Sequence, residues 1–221
     1  MKRFIIIPAA GIGQRFGNVV PKQFAELKGK PVLMHTIELF SITNQKIILV
    51  LNPEFILYWK NLCDKFSFRV PHIIVEGGKT RTDSVRNGLA IINDDGIVAI
   101  HDAVRPLVSR ALIEKLFTVA EKKDNAIPAI SVQDSLRKLE AGKNYSVERK
   151  DYRMIQTPQC FHVSKLKSAY ENFPGNEFTD DASVYEMAGE KINLVEGEFS
   201  NIKITEPNDL LIAETLIRSR Q

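Results

Sequence analysis

Short β-branched runs alternate with helical stretches through the first 130 residues, and this alternation constrains the fold more than any other feature. Residues 3–7, 46–51, 71–75, 96–100 and 126–132 read as strands, with helices expected over 32–41, 54–65, 82–92 and 109–121. In the last of these helices Leu112, Ile113, Leu116, Phe117 and Ala120 share one face, and Ser109 stands where an N-cap belongs. The pattern predicts an α/β fold, a mostly parallel Rossmann-like sheet with helices on both faces. In such a sheet ligands collect at the carboxyl ends of the strands.

Three polar clusters follow strands and would open on that one edge. The first contains Gly11, Gly13 and Arg15; the second runs from Glu76 to Ser84; the third is His101-Asp102-Ala103-Val104-Arg105-Pro106. A glycine-rich turn leaving a buried strand can bring backbone N–H groups close to a phosphate, and Arg15 and Lys22 add two cations. The turn is not a dinucleotide fingerprint, because its third glycine would fall at 16, where Phe16 stands, and Gly17 comes one place late. Nor does a Gly-Lys-Ser/Thr follow, so the P-loop pattern fails as well. A tight turn without a ligand remains the alternative for this segment alone.

Net charge is only +3 but unevenly spread. Residues 1–30 carry six cations (Lys2, Arg3, Arg15, Lys22, Lys28, Lys30) against Glu26 alone, whereas residues 171–221 carry eleven acids against four bases. Positive charge gathered at a glycine-rich loop favours a small polyanion over nucleic acid, which needs a broad basic face. The 44% hydrophobic content supports a sizeable core, and no run approaches the ~20 apolar residues of a membrane span. Cys63 and Cys160 match no metal spacing, and the few apolar residues before Pro8 are too short for a secretory signal. A single domain over 1–221 in the cytoplasm, with reduced thiols and no membrane partner, is expected.

The alternation breaks at 134–153. Asp134–Glu140 leads through Ala141-Gly142-Lys143-Asn144 into Tyr145–Arg149, the pattern of a projecting β-hairpin arm. An isolated hairpin is marginally stable, so this arm is expected to pack on something, most simply a second copy of the chain. Near the C-terminus Thr205 and Pro207 mark a helix start, with Leu210, Ala213 and Ile217 on its packing face.

Read in order, Pro8-Ala9-Ala10-Gly11-x-Gly13-x-Arg15, Pro21-Lys22-Gln23, Gly77-Gly78-x-x-Arg81-x-Asp83-Ser84-Val85, His101-Asp102-Ala103-x-Arg105-Pro106, Asp134-Ser135, Thr157-Pro158-Gln159, Thr179-Asp180-Asp181-Ala182 and Asn201-Ile202-Lys203 span nearly the whole chain. The set resembles the 2-C-methyl-D-erythritol 4-phosphate cytidylyltransferases of the non-mevalonate isoprenoid pathway. The resemblance implies that a sugar-alcohol phosphate attacks the α-phosphorus of CTP, in the presence of Mg²⁺, and releases pyrophosphate. A phosphate monoester is largely ionised at neutral pH, its second pKa being ~6, so no general base is needed. Stabilising charge on two polyanions is the main task.

On the family's pattern, Ala9, Ala10, Gly11 and Gly13 would line the triphosphate, and Arg15, Lys22 and Lys203 would stabilise its charge. Gly78, Ser84 and Ala103 would receive the nucleoside. Asp102 and Arg105 would hold the alcohol, Asp102 also being the candidate metal contact, with Thr179 supporting the pocket. Ser135 and Arg149 on the arm would reach the substrate phosphate in a neighbouring subunit, which makes a homodimer. Lys79 stands where the family often has an acid. Taken singly, Asp102 could cap the next segment, Arg105 could serve a helix end or a salt bridge, and Lys203 in Ile202-Lys203-Ile204 could be a solvent-facing strand residue. A ribitol-5-phosphate cytidylyltransferase is the nearest enzymatic alternative. Pro8-Ala9-Ala10-Gly11, Asp134-Ser135-Leu136-Arg137 and Asp181-Ala182-Ser183 side with the methylerythritol family. A non-catalytic CTP-binding protein is the alternative outside enzymes.

Overall fold

The computed structural model describes residues 1–11, 21–41 and 45–219. The chain begins with β1 (Lys2–Ala9), a two-residue ribbon of β2 (Glu26–Leu27) and β3 (Lys30–Pro31), and α1 (Val32–Glu38). Next come β4 (Lys46–Leu51), α2 (Ile56–Lys65), β5 (Ile73–Glu76), α3 (Arg81–Ala90), β6 (Gly96–Ile100), α4 (Arg110–Lys123) and β7 (Asn125–Ser131). The arm is β8 (Leu136–Glu140) and β9 (Lys143–Val147). The remainder is β10 (Arg153–Ile155), β11 (Gln159–His162), α5 (Val163–Asn172), α6 (Asp181–Met187), β12 (Leu194–Glu196) and α7 (Pro207–Arg218).

The main sheet runs β10-β7-β11-β6-β1-β4-β5, with β12 also paired to β7. β1 pairs in parallel with β4 and β6, and β4 with β5. Strand order therefore reverses between β1 and β6, the switch point at which open α/β sheets leave a crevice. β11 lies antiparallel between β6 and β7. The mostly parallel expectation holds, with β10 and β11 as antiparallel insertions.

Strand periodicity divides the core between two faces. Ile5, Ile7, Leu49, Leu51, Ile97 and Ala99 pack with α1, Trp59 of α2 and the apolar stripe of α4. Their neighbours Phe4, Ile6, Ile48, Val50, Val98 and Ile100 pack on the other side, against Val85 and Leu89 of α3, Leu166 of α5 and Tyr185 of α6. The Ser109 side chain accepts from the Leu112 amide at 3.0 Å, the cap that the sequence predicts. Ala213 of α7 is buried with Val32, Val104 and Ile204.

One boundary shifts and one alternative falls. The helix expected from 82 starts one residue earlier, at Arg81, because Thr80 caps it and closes a reciprocal capping box with Asp83 in its first turn. The alternative that makes Lys203 a solvent-facing strand residue does not hold: its segment has no strand, and Ile204 donates its amide to the Val104 carbonyl at 2.9 Å, which docks it beside the loop after β6.

Candidate active site

The loops after β1, β5 and β6 meet at the switch point. Gly77 makes the meeting close, since its amide donates to the Leu51 carbonyl at 2.7 Å and a Cβ there would collide with the Ala10 methyl. Gln23 holds the chain as it leaves β1: its buried Nε2 donates to the carbonyls of Ala9 (2.8 Å) and Gly11 (3.1 Å). The Ser84 hydroxyl accepts from the Gly78 amide (3.2 Å) and donates to the Thr80 carbonyl (2.9 Å), so it shapes the second loop. Thr36 holds the third by donating to the Ala103 carbonyl at 2.9 Å.

These loops enclose a cleft of about 220 Å³ whose walls include Ala9, Ala10, Gly11, Lys22, Gly78, Ser84, Asp102, Ala103 and Lys203. A second, more open cleft of about 400 Å³ adjoins it, lined by Arg105, Thr157, Gln159, Thr179 and Asp180 among others. Arg81, Asp102 and Lys203 line both clefts and form the wall between them.

Charge is concentrated in that wall. Asp102 Oδ2 lies 3.1 Å from Lys203 Nζ and 3.2 Å from Arg105 Nε. Burial alone would raise the Asp102 pKa, but Lys203, Arg81 and Arg105 outweigh it and hold the carboxyl well below the usual range. Arg105 also donates through Nη1 to the Asn201 carbonyl at 2.7 Å. Arg81 reaches the fully buried Asp181 at 2.6 Å, and Tyr170 Oη donates to the other oxygen of that carboxylate, also at 2.6 Å. Burial opposes charge on Arg81, but Asp181 overrides it and raises the guanidinium pKa above its ordinary value.

The segment carrying Lys203 is held on several sides. Gln156 donates to the Glu198 carbonyl (2.8 Å) and accepts the Glu198 amide (3.1 Å), while the Glu198 carboxylate accepts from the Ser109 amide and hydroxyl at the start of α4. Asn201 Nδ2 donates to the Thr157 carbonyl at 2.9 Å. Lys203, with a side chain 42% exposed, therefore projects from a fixed backbone toward both clefts.

Nine sequence-predicted residues thus converge on the first cleft: Ala9, Ala10, Gly11, Lys22, Gly78, Ser84, Asp102, Ala103 and Lys203. Arg105 and Thr179 meet at the second. Gly13 and Arg15 lie outside the described residues. Ser135 and Arg149 line neither cleft of their own chain; they flank the exposed arm, where Arg149 Nη1 donates to the Gln133 carbonyl. Sequence reasoning gave Gln23, Arg81, Thr157 and Asn201 no role. All four stand inside the quoted motifs, but only contacts distant in sequence reveal their work.

The sequence pattern of the 2-C-methyl-D-erythritol 4-phosphate cytidylyltransferases (IspD) matches residues 4–219. The chain belongs to this family. The cytidylyltransferase of Phocaeicola vulgatus is 47% identical over 219 residues, covering 98% of this chain and 100% of that protein. The Bacillus pumilus cytidylyltransferase is 37% identical, covering 96% of each. The crystal structure of the Anaerococcus prevotii 4-diphosphocytidyl-2C-methyl-D-erythritol synthase superposes with a TM-score of 0.84 at 30% identity, over 98% of this chain and 96% of that one. The Thermus thermophilus cytidylyltransferase gives 0.78 at 32% identity, over 97% and 98%. The α/β fold of the family is the fold described above.

Proposed function

We infer that the chain transfers a cytidylyl group from CTP to 2-C-methyl-D-erythritol 4-phosphate, releasing pyrophosphate and forming 4-diphosphocytidyl-2-C-methyl-D-erythritol. The observation that carries this reading is the pair of adjoining clefts with a shared Arg81–Asp102–Lys203 wall, in a chain of this family. The glycine-lined cleft suits the nucleotide; among the described residues, no atom lies within 4 Å of a Cβ added at Gly11. The second cleft, with Arg105 and Thr179, suits the alcohol phosphate.

In this reading a phosphate oxygen of the alcohol attacks the CTP α-phosphorus, and the bond to the β-phosphate oxygen breaks. Lys203, at the boundary of the clefts, stabilises charge on the α-phosphoryl group, and Lys22 and Arg15 stabilise the departing pyrophosphate. Ala9, Ala10, Gly11 and Gly13 give backbone donors to the triphosphate, while Gly78, Ser84 and Ala103 shape a nucleoside pocket too small for a purine. Asp102 orients Lys203 and Arg105 and accepts bonds from substrate hydroxyls.

Mg²⁺ fits as a companion of the triphosphate. Among the described residues no cluster of three His, Cys, Asp or Glu could cage a metal. Arg105 and Lys203 both bond Oδ2 of Asp102, so among the described residues Oδ1 is the carboxylate oxygen open to a metal. One carboxylate plus substrate phosphates is a common Mg²⁺ environment. The ion, when bound, would neutralise phosphate charge.

The arm completes the site in a homodimer. Leu139 and Tyr145 on the arm, with Tyr152, Met154 and Ile155 beside it, are large exposed apolar side chains. Covering them with a second copy would bring Ser135 and Arg149 to the partner's second cleft. A cytoplasmic location agrees with the free thiols of Cys63 and Cys160. No helix among the described residues is long and apolar enough to cross a membrane.

The test is pyrophosphate release from CTP with Mg²⁺, offering each alcohol phosphate separately. Turnover is expected with the methylerythritol phosphate. Preference for ribitol 5-phosphate, or CTP binding without turnover, would replace this reading with one of the two alternatives.

A further inference from the structure

Behind the charged wall lies a chain of buried hydrogen bonds that the reaction does not itself require. The Asp102 amide donates to Thr157 Oγ1 at 3.0 Å. Thr157 Oγ1 lies 3.2 Å from His101 Nδ1, and His101 Nε2 lies 3.0 Å from the Arg105 carbonyl. His101 and Thr157 are 0% and 5% exposed.

Each proton in this chain is fixed by its neighbour. The Arg105 carbonyl can only accept, so His101 carries its proton on Nε2. Nδ1 of the neutral ring is then an acceptor, and the Thr157 hydroxyl donates to it. The lone pairs of that hydroxyl remain to accept the Asp102 amide. One hydroxyl therefore fastens both ends of the 101–105 loop, Asp102 directly and Arg105 through the imidazole.

The same residue also fastens the opposite side of the wall. Its backbone carbonyl accepts from Asn201, two residues before Lys203, and the Asn201 carbonyl accepts from Arg105. Thr157 is thus bonded to the segments that carry Asp102, Arg105 and Lys203.

We propose that Thr157 is a positioning residue for the transfer: its hydroxyl, through His101, sets Asp102 and Arg105 in register with Lys203. This rests on reading the Asp102–Lys203 wall as the place of phosphoryl attack. A hydroxyl is required because the position must donate and accept at once. Valine would copy the shape and leave the Asp102 amide and His101 Nδ1 buried without partners. Serine would keep both functions.

The experiment compares Thr157→Val, Thr157→Ser and the wild-type enzyme by steady-state kinetics with CTP and the methylerythritol phosphate, with CTP affinity taken from calorimetry. Valine is expected to lower kcat about tenfold or more while CTP affinity stays within about threefold, and serine to restore kcat. A valine enzyme as fast as wild type, or a serine enzyme as slow as valine, would overturn the proposal. Nitrogen-15 spectra of His101 in the wild-type protein at neutral pH give a reading independent of turnover and of variant folding. A neutral ring protonated on Nε2 is expected; a proton on Nδ1 contradicts the chain. Should wild type fail to turn over, the functional reading falls, while the His101 tautomer still decides the hydrogen-bond chain.

Discussion

Lys203 and Asp102 form an ion pair 3.1 Å long at the boundary between the two clefts, although 101 positions separate them in sequence. The pair exists because the Lys203 segment docks on Val104 through Ile204 and on Thr157 through Asn201. A cation held at that boundary can touch both reacting phosphates. Lys203→Ala is expected to lower kcat by ~10²-fold or more, with a smaller effect on CTP affinity. An unchanged rate in single-turnover kinetics would remove Lys203 from the mechanism.

Gln23 is expected to matter for the nucleotide through the loop it holds. Gln23→Leu would leave the Ala9 and Gly11 carbonyls without their buried donor. A stability loss of about 1–3 kcal/mol in urea unfolding is expected. CTP affinity should fall about tenfold by calorimetry. Normal affinity together with lowered stability would show that the loop keeps its shape without Gln23.

The arm makes a prediction about mixed dimers. If Arg149 serves the partner's site, Lys203→Ala and Arg149→Ala chains mixed in equal amounts should complement. Half of the dimers would be mixed, each with one intact site of two, giving about a quarter of wild-type activity. Activity no higher than that of the two parent variants would place Arg149 in its own chain's chemistry or in none.

Acidification should destabilise the fold in two separate stages. Burial lowers the His101 pKa to about 4, so the unfolded chain takes up a proton below ~6.5 that the folded chain refuses. Stability should therefore fall as pH drops from about 6.5 toward 4, by up to about 1.4 kcal/mol per pH unit from this residue. His35 and His72, also lowered by burial, add to the same slope. Asp102 behaves differently. Its folded pKa lies below the unfolded value of ~3.9, so its contribution is complete above that pH and is lost only as pH falls further. Urea unfolding of wild type and His101→Gln between pH 5 and 7.5 checks the first stage. Equal slopes would exclude His101 as a source.

The parallel half of the fold was legible in the sequence because its strands are short apolar runs alternating with helical stretches, the last with a readable cap at Ser109 before α4. β11 was not: Gln159–His162 is only four residues long, is largely buried and shows no alternation. The same limit applies to the site. The glycine-rich loop with Lys22 suggested an anion site by residue type, whereas the roles of Gly78, Asp102 and Lys203 came from the resemblance to the family. Gln23, Thr157 and Asn201 are neutral side chains that act through backbone groups, and His101 through a buried hydroxyl and a carbonyl. Arg81 had no legible role because its partner Asp181 lies 100 residues away and is fully buried.

The most direct measurement of the central claim follows oxygen from the alcohol phosphate. With methylerythritol phosphate labelled by ¹⁸O in its phosphate group, attack on the CTP α-phosphorus should leave every label in the diphosphocytidyl product and none in pyrophosphate. Labelled pyrophosphate, or no transfer to this alcohol, would contradict the account.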